Sequence, residues 1–199
     1  MSLVIEYYFA PQSPWAYLGH QRLQDIAAAA GATIELLPAD FGRIFAMSGG
    51  LPLAKRAAQR QAYRLVELRR FSQHLGLPLN LQPRHFPVPA DDAARLIIAV
   101  QQHDGSPAAL AFTAASMRAV WVQERDIADP ATLAALLAEQ GLPAQRQGQA
   151  SLPAVQQAYD ANTERAIALS VFGAPTYAVQ GELFWGQDRL DFLQRRLTG

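Results

Sequence analysis

The segment Val4-Ile5-Glu6-Tyr7-Tyr8-Phe9-Ala10-Pro11-Gln12-Ser13-Pro14-Trp15 passes from a run of β-branched and aromatic residues into a loop bounded by two prolines. Such a run predicts a buried strand, and the prolines stop it because they cannot donate to a β ladder. A helix is predicted directly afterwards. Trp15, Leu18, Leu23, Ile26 and Ala27 broadly follow helical spacing, the alanines at 27–30 extend it, and Gly31 supplies the stop. Thr33-Ile34-Glu35-Leu36-Leu37-Pro38 then reads as a second strand. Strand, helix and strand with short connections imply a right-handed parallel unit.

From about residue 53 to 172 nearly every periodic segment has helical spacing and β-rich runs are scarce. Helices are predicted over 53–75, 90–103, 107–123, 130–140 and 152–171. Ser106-Pro107 and Asp129-Pro130 each place a capping side chain before a proline at the first helical position. The β signal returns at Thr176-Tyr177-Ala178-Val179, a Gln180-Gly181 turn and Glu182-Leu183-Phe184-Trp185, which reads as a hairpin. A short helix over 188–197 closes the chain. This order predicts an α/β fold: a thioredoxin-like domain, residues 1–45 and 172–199, interrupted by a large all-helical insertion, residues 46–171.

At 199 residues the chain has room for one domain with a sizeable core, and half of its residues are apolar against 17% charged, which argues against disorder. Lys+Arg and Asp+Glu both number 17. With zero formal charge and no like-charge block, nucleic acid is not an expected partner. No basic segment precedes an early apolar run, and no membrane-length apolar stretch occurs, so a soluble, unexported, cytoplasmic protein is expected. The absence of cysteine excludes disulfides, thiolate metal sites and chemistry by a thiol of the protein itself.

Ser13-Pro14 at a strand-to-helix junction can hold an anion, because a hydroxyl there lies beside free N–H groups at the positive end of the helix dipole. Capping alone also explains the dipeptide. Phe172-Gly173-Ala174-Pro175-Thr176 puts a proline directly before a strand, where a cis bond exposes backbone groups to a ligand. Asp188, in Gly186-Gln187-Asp188-Arg189, can cap the last helix or bind an ammonium group. Arg56, Arg60 and Arg64 recur at i, i+4 spacing beside Lys55, as either a solvated face or a carboxylate clamp. His20, His74, His85 and His103 have no metal-ligand spacing, no metal is expected, and no nucleotide-binding or acyl-serine motif is present.

Ser13-Pro14-Trp15-Ala16-Tyr17-Leu18, Arg125-Asp126-Ile127-Ala128-Asp129-Pro130, Val171-Phe172-Gly173-Ala174-Pro175-Thr176 and Phe184-Trp185-Gly186-Gln187-Asp188-Arg189-Leu190 together resemble the 2-hydroxychromene-2-carboxylate isomerases. That family is related to kappa-class glutathione transferases and to bacterial disulfide oxidoreductases with a helical insertion. The oxidoreductases begin their first helix with Cys-Pro-x-Cys, whereas this chain has Ser13 and Ala16 at those positions. The resemblance implies that the thiol arrives as the cofactor glutathione, with its sulfur beside Ser13 as the catalytic residue. It implies backbone pairing with Ala174 before a cis Pro175, a γ-glutamyl end near Gln187 and Asp188, and contact with Arg60 where the family has a lysine. The implied reaction is glutathione-dependent cis–trans isomerisation of a small aromatic carboxylate by reversible thiolate addition, in a homodimer. A kappa-type glutathione transferase, or a redox-inactive thioredoxin-like binding module, stands as the alternative. One departure is Ala10-Pro11-Gln12, where the family has an Asp shortly before Ser-Pro.

Overall fold

A computed structural model of the protein describes residues 3–199. Its strands are β1 (Val4–Phe9), β2 (Thr33–Pro38), β3 (Thr176–Val179) and β4 (Glu182–Trp185). They form one sheet in the order β2-β1-β3-β4, with β1 parallel to β2 and antiparallel to β3. The predicted crossover is α1 (Pro14–Ala30), which ends where Gly31 takes a left-handed φ of 62° and donates back to Ala27 and Ala28. The helices between the second and third strands are α2 (Phe41–Ser48), α3 (Ala58–Leu75), α4 (Asp91–Trp121), α5 (Pro130–Glu139), α6 (Gln145–Ala150) and α7 (Pro153–Ala168). The last helix is α8 (Leu190–Thr198).

Alternation along β1 divides the core. Ile5, Tyr7 and Phe9 join the apolar face of α1 and the interior of α4 and α5, including Leu23, Val100, Phe112 and Leu137. Tyr8 points the other way and packs with Leu37, Phe41, Ile44, Ala166 and Ala178. Both faces of the sheet are therefore covered. The insertion is part of this core, because α4 packs on β2 and the first cluster runs unbroken from strand residues into the helices.

Several local readings need correction. The predicted helix over 53–75 is divided: Leu53–Lys55 form a 3-10 turn after Pro52, Arg56 is extended with ψ of 150°, and α3 starts only at Ala58. Arg56 is thus off the face that carries Arg60 and Arg64. The helices predicted over 90–103 and 107–123 are present as the two halves of α4, divided at Gly105, whose φ of 85° and ψ of 171° are not helical. Helix α2, capped by the Asp40 carboxylate on Gly42 and Arg43 N–H, was not predicted and spans the 45/46 division. Asp129 does cap α5, receiving N–H bonds from Ala131 and Thr132. Among the described residues no helix is long and apolar enough to cross a membrane, and no metal-holding cluster occurs.

Candidate functional site

Tyr8 pairs with Thr176 in antiparallel register. Following β1 forward and β3 backward from that pair, the loop carrying Ser13 and the peptide before Pro175 leave the same end of the sheet side by side. Pro11 and Pro14 keep the loop short, and the Ser13 N–H donates to Ala10 C=O at 2.9 Å to fold it back on itself. The sheet therefore brings together two segments about 160 residues apart in sequence.

Ser13 is the N-cap of α1, with Pro14 directly after it and an extended φ, ψ of −73°, 122°. Its Oγ accepts the Ala16 N–H at 3.3 Å, a long bond for a cap. The hydroxyl hydrogen has no acceptor among the described residues, and the side chain is half-buried. The first turn of α1 carries no acidic residue, so nothing local cancels the positive end of its dipole. Capping and an anion-facing donor therefore coexist in one hydroxyl.

Ala174-Pro175 is cis. The turn before it is held by Thr176 Oγ1 donating to Gly173 C=O at 2.7 Å, and the strand beyond it by Gly186 N–H donating to Pro175 C=O at 2.8 Å. Neither the N–H nor the C=O of Ala174 has a partner among the described residues. A Cβ at Gly173 would lie 2.3 Å from Trp185 Nε1, so any larger residue there has to displace that ring. The Phe172 and Trp185 rings meet at 4.7 Å outside this turn, both partly exposed.

The Gly186–Pro175 bond also draws Gln187 and Asp188 to this end of the molecule. Gln187 is only 2% exposed and packs against α1, with its Nε2 unpartnered. Asp188 is exposed, folds back over Gly186, and pairs with Arg189 Nη1 at 2.6 Å. It does not cap the last helix, because α8 starts after a 3-10 turn, Gln187–Arg189, without a side-chain cap bond. Arg60 is exposed on the first turn of α3, and no contact ties it to Ser13 or Ala174.

One residue escaped the sequence reading, and another, Arg64, was named there only as one of a series. Gln12, directly before Ser13, has a buried and unpartnered Oε1; its adjacency to Ser13 was the available signal. Arg64 stands over the Phe86 ring at 5.1 Å and over the ring of Trp121, the last residue of α4, at 5.8 Å. Behind α1 lies a closed polar interior. Burial, partly offset by its bond to Leu110 C=O, pushes His20 down to about 4, and burial raises both Tyr7 and Tyr177. All three are neutral at pH 7.

The free Ala174 peptide, the cis Pro175 and the α1 terminus share one end of the sheet, and residues 4–198 match the DSBA-like thioredoxin domain. The chain belongs to the DSBA-like thioredoxin family, beside the 2-hydroxychromene-2-carboxylate isomerases. It is 31% identical over 196 residues to the 2-hydroxychromene-2-carboxylate isomerase of Pseudomonas putida, covering 96% of this chain and 93% of that one. To the enzyme of the same name from Sphingobium xenophagum it is 30% identical over 199 residues, 99% of each chain. A solved 2-hydroxychromene-2-carboxylate isomerase superposes with a TM-score of 0.81 at 28% identity, over 98% of this chain and 94% of that one. The fold expected from the sequence, a thioredoxin-like domain with a large helical insertion, is thus the fold of this DSBA-like protein.

Proposed function

We propose that this protein is a glutathione-dependent cis–trans isomerase of 2-hydroxychromene-2-carboxylate-type aromatic catabolites. The observation that carries the reading is a thioredoxin-type ligand end with free peptide groups at Ala174 and a free hydroxyl proton at Ser13, in a chain without any thiol of its own. A peptide-like molecule bearing a thiol fits that donor set, because Ala174 offers one N–H and one C=O in strand orientation. The isomerase relatives match along nearly their whole length, which supports the reaction class.

Ser13 holds the bound sulfur by donating its hydroxyl proton, and the α1 terminus favours the anion. A free thiol titrates near about 8.5, so each unit of lowering is worth about 1.4 kcal/mol of anion stabilisation. Ala174 aligns the tripeptide backbone, and the Asp188 carboxylate faces its ammonium end while sharing charge with Arg189. Gln187 contributes as packing behind that end, given how little of it is exposed. Arg60, exposed on α3, is left to meet the outer carboxylate. Bound glutathione supplies a thiolate whose reversible conjugate addition makes the C=C of the unsaturated 2-oxo acid a rotatable single bond and regenerates the thiol on release.

Calorimetric titration with reduced glutathione, followed by absorbance assays with a chromene-2-carboxylate, tests this reading. Saturable binding and isomerisation with glutathione recovered unchanged are expected. Stoichiometric consumption of glutathione would make the protein a kappa-type transferase, and no glutathione binding would leave a redox-inactive binding module. The same reading carries a homodimer, tested by sedimentation velocity.

A further inference from the structure

We propose that Arg64, together with the Trp121 indole N–H, forms the receptor for the carboxylate of a planar aromatic substrate; this rests on the isomerase reading above for the identity of that substrate. Arg64 Nη2 is shut off from solvent and has no hydrogen-bond partner, and the same holds for Trp121 Nε1 on a ring that is 0% exposed. Guanidinium, indole and Phe86 belong to one contact group: Arg64 lies 5.1 Å from the Phe86 centroid and 5.8 Å from the Trp121 ring, and the Phe86 ring, tilted by 49°, lies 4.8 Å from Trp121. Two buried donors with no acceptor between them are costly to leave unmade, and an anion satisfies both. The aromatic walls suit a flat ring attached to that anion.

A comparison inside the molecule sharpens the point. Arg146, also enclosed, is neutralised by two bonds to Asp104, at 2.7 and 2.8 Å. Arg64 has no carboxylate within ion-pair distance among the described residues, and its charged neighbour is another cation, Arg56. Burial first, and then Arg56, push Arg64 down to about 10, which still leaves it a cation at neutral pH. Of the two arginines left on the α3 face, Arg60 is exposed, while Arg64 is held by rings and already partly desolvated. Arg56 spends its Nε on Leu51 C=O at 2.8 Å. The end of α1 also borders α3, since Trp15, two residues after Ser13, meets Phe71 edge-on at 5.9 Å.

The test uses unreactive probes, so it reads the anion site without turnover. 2-Naphthoate and 2-naphthamide are titrated calorimetrically into wild type, Arg64→Met, Arg64→Lys and Trp121→Phe, with reduced glutathione titrated separately into each. Wild type is expected to favour the carboxylate by about tenfold or more, the worth of a charge-assisted hydrogen bond. Arg64→Met should lose that preference, Arg64→Lys should keep only part of it because the planar fork is gone, and Trp121→Phe should weaken it. Glutathione affinity should be the same in all four. Equal binding of the two probes by wild type, or an undiminished preference in Arg64→Met, overturns the assignment. Loss of glutathione binding in wild type would overturn the isomerase reading instead, and the naphthoate-to-naphthamide ratio would still decide the role of Arg64.

Discussion

Ser13 and His20 lie two turns apart on the same helix and meet opposite physical demands. Ser13 sits at the half-exposed first turn, where the Trp15 N–H, without a partner among the described residues, and an uncancelled dipole favour negative charge. His20 sits inside the closed interior, where its Nδ1 has no partner and burial removes its positive charge. One region invites an ion and the other refuses one. Position relative to the helix end and to solvent, more than residue type, sets what each group can do, and this lets a single helix present an anion-favouring terminus and a core face.

The interior half of that contrast gives the largest expected effect. The folded state holds His20 at about 4 while the unfolded chain titrates near its ordinary value, so between those pH values the unfolded state binds more protons. Stability from this group is therefore full above about pH 6.5, falls as pH drops toward about 4, and amounts to about 3 kcal/mol over the window. Urea unfolding of wild type and His20→Gln across that range checks it. The wild-type-minus-variant difference should change by that amount, and a difference constant with pH would mean that the interior tolerates charge.

Gly19→Ala probes the same closed space by volume. A Cβ there would stand 2.7 Å from Tyr177 Oη and 2.8 Å from Gln187 Cβ. Overpacking should cost about 1–3 kcal/mol, outweighing the roughly 1 kcal/mol that alanine gains over glycine in a helix. A denaturant midpoint shifted upward would show that the interior has room, and the contrast with Ser13 would then rest on polarity alone.

At the open end, Ser13→Ala should cost at most about 1 kcal/mol of stability, because the cap bond it removes is long at 3.3 Å. Its larger signature should be a fall in turnover at pH 7 that recovers partly at higher pH. Thermal or denaturant melts beside a pH–rate profile separate the two effects. A stability loss with unchanged turnover at every pH would reduce Ser13 to a cap.

Much of this was legible in the sequence because local chemistry and global fold agree along the two ends of the chain. Val4-Ile5-Glu6-Tyr7-Tyr8-Phe9 alternates its faces as the sheet requires, Gly31 and Asp129 bound helices where expected, and Ala174-Pro175 is cis. The misses have local causes. Helix α2 is short and depends on Asp40 and on packing of Phe41 and Ile44 in a core that forms only when β1, β2 and α7 meet. The spacing of Arg56, Arg60 and Arg64 implies one face because periodicity does not register the 3-10 turn after Pro52. Arg64 shared its pattern with Arg60, and only the distant Phe86 and Trp121 distinguish them. The Arg125–Pro130 segment matters as structure: Ile127 is fully buried, the Asp126 carboxylate accepts the Ala128 N–H, and Asp129 starts α5.

The most direct test of the Ser13 site is an ultraviolet absorbance titration of the glutathione thiolate bound to wild type and to Ser13→Ala, at saturating ligand. The account predicts a thiol pKa in wild type clearly below the free value of about 8.5, and a pKa raised back toward it in the variant. A wild-type pKa equal to that of free glutathione, or identical values in the two proteins, would contradict it.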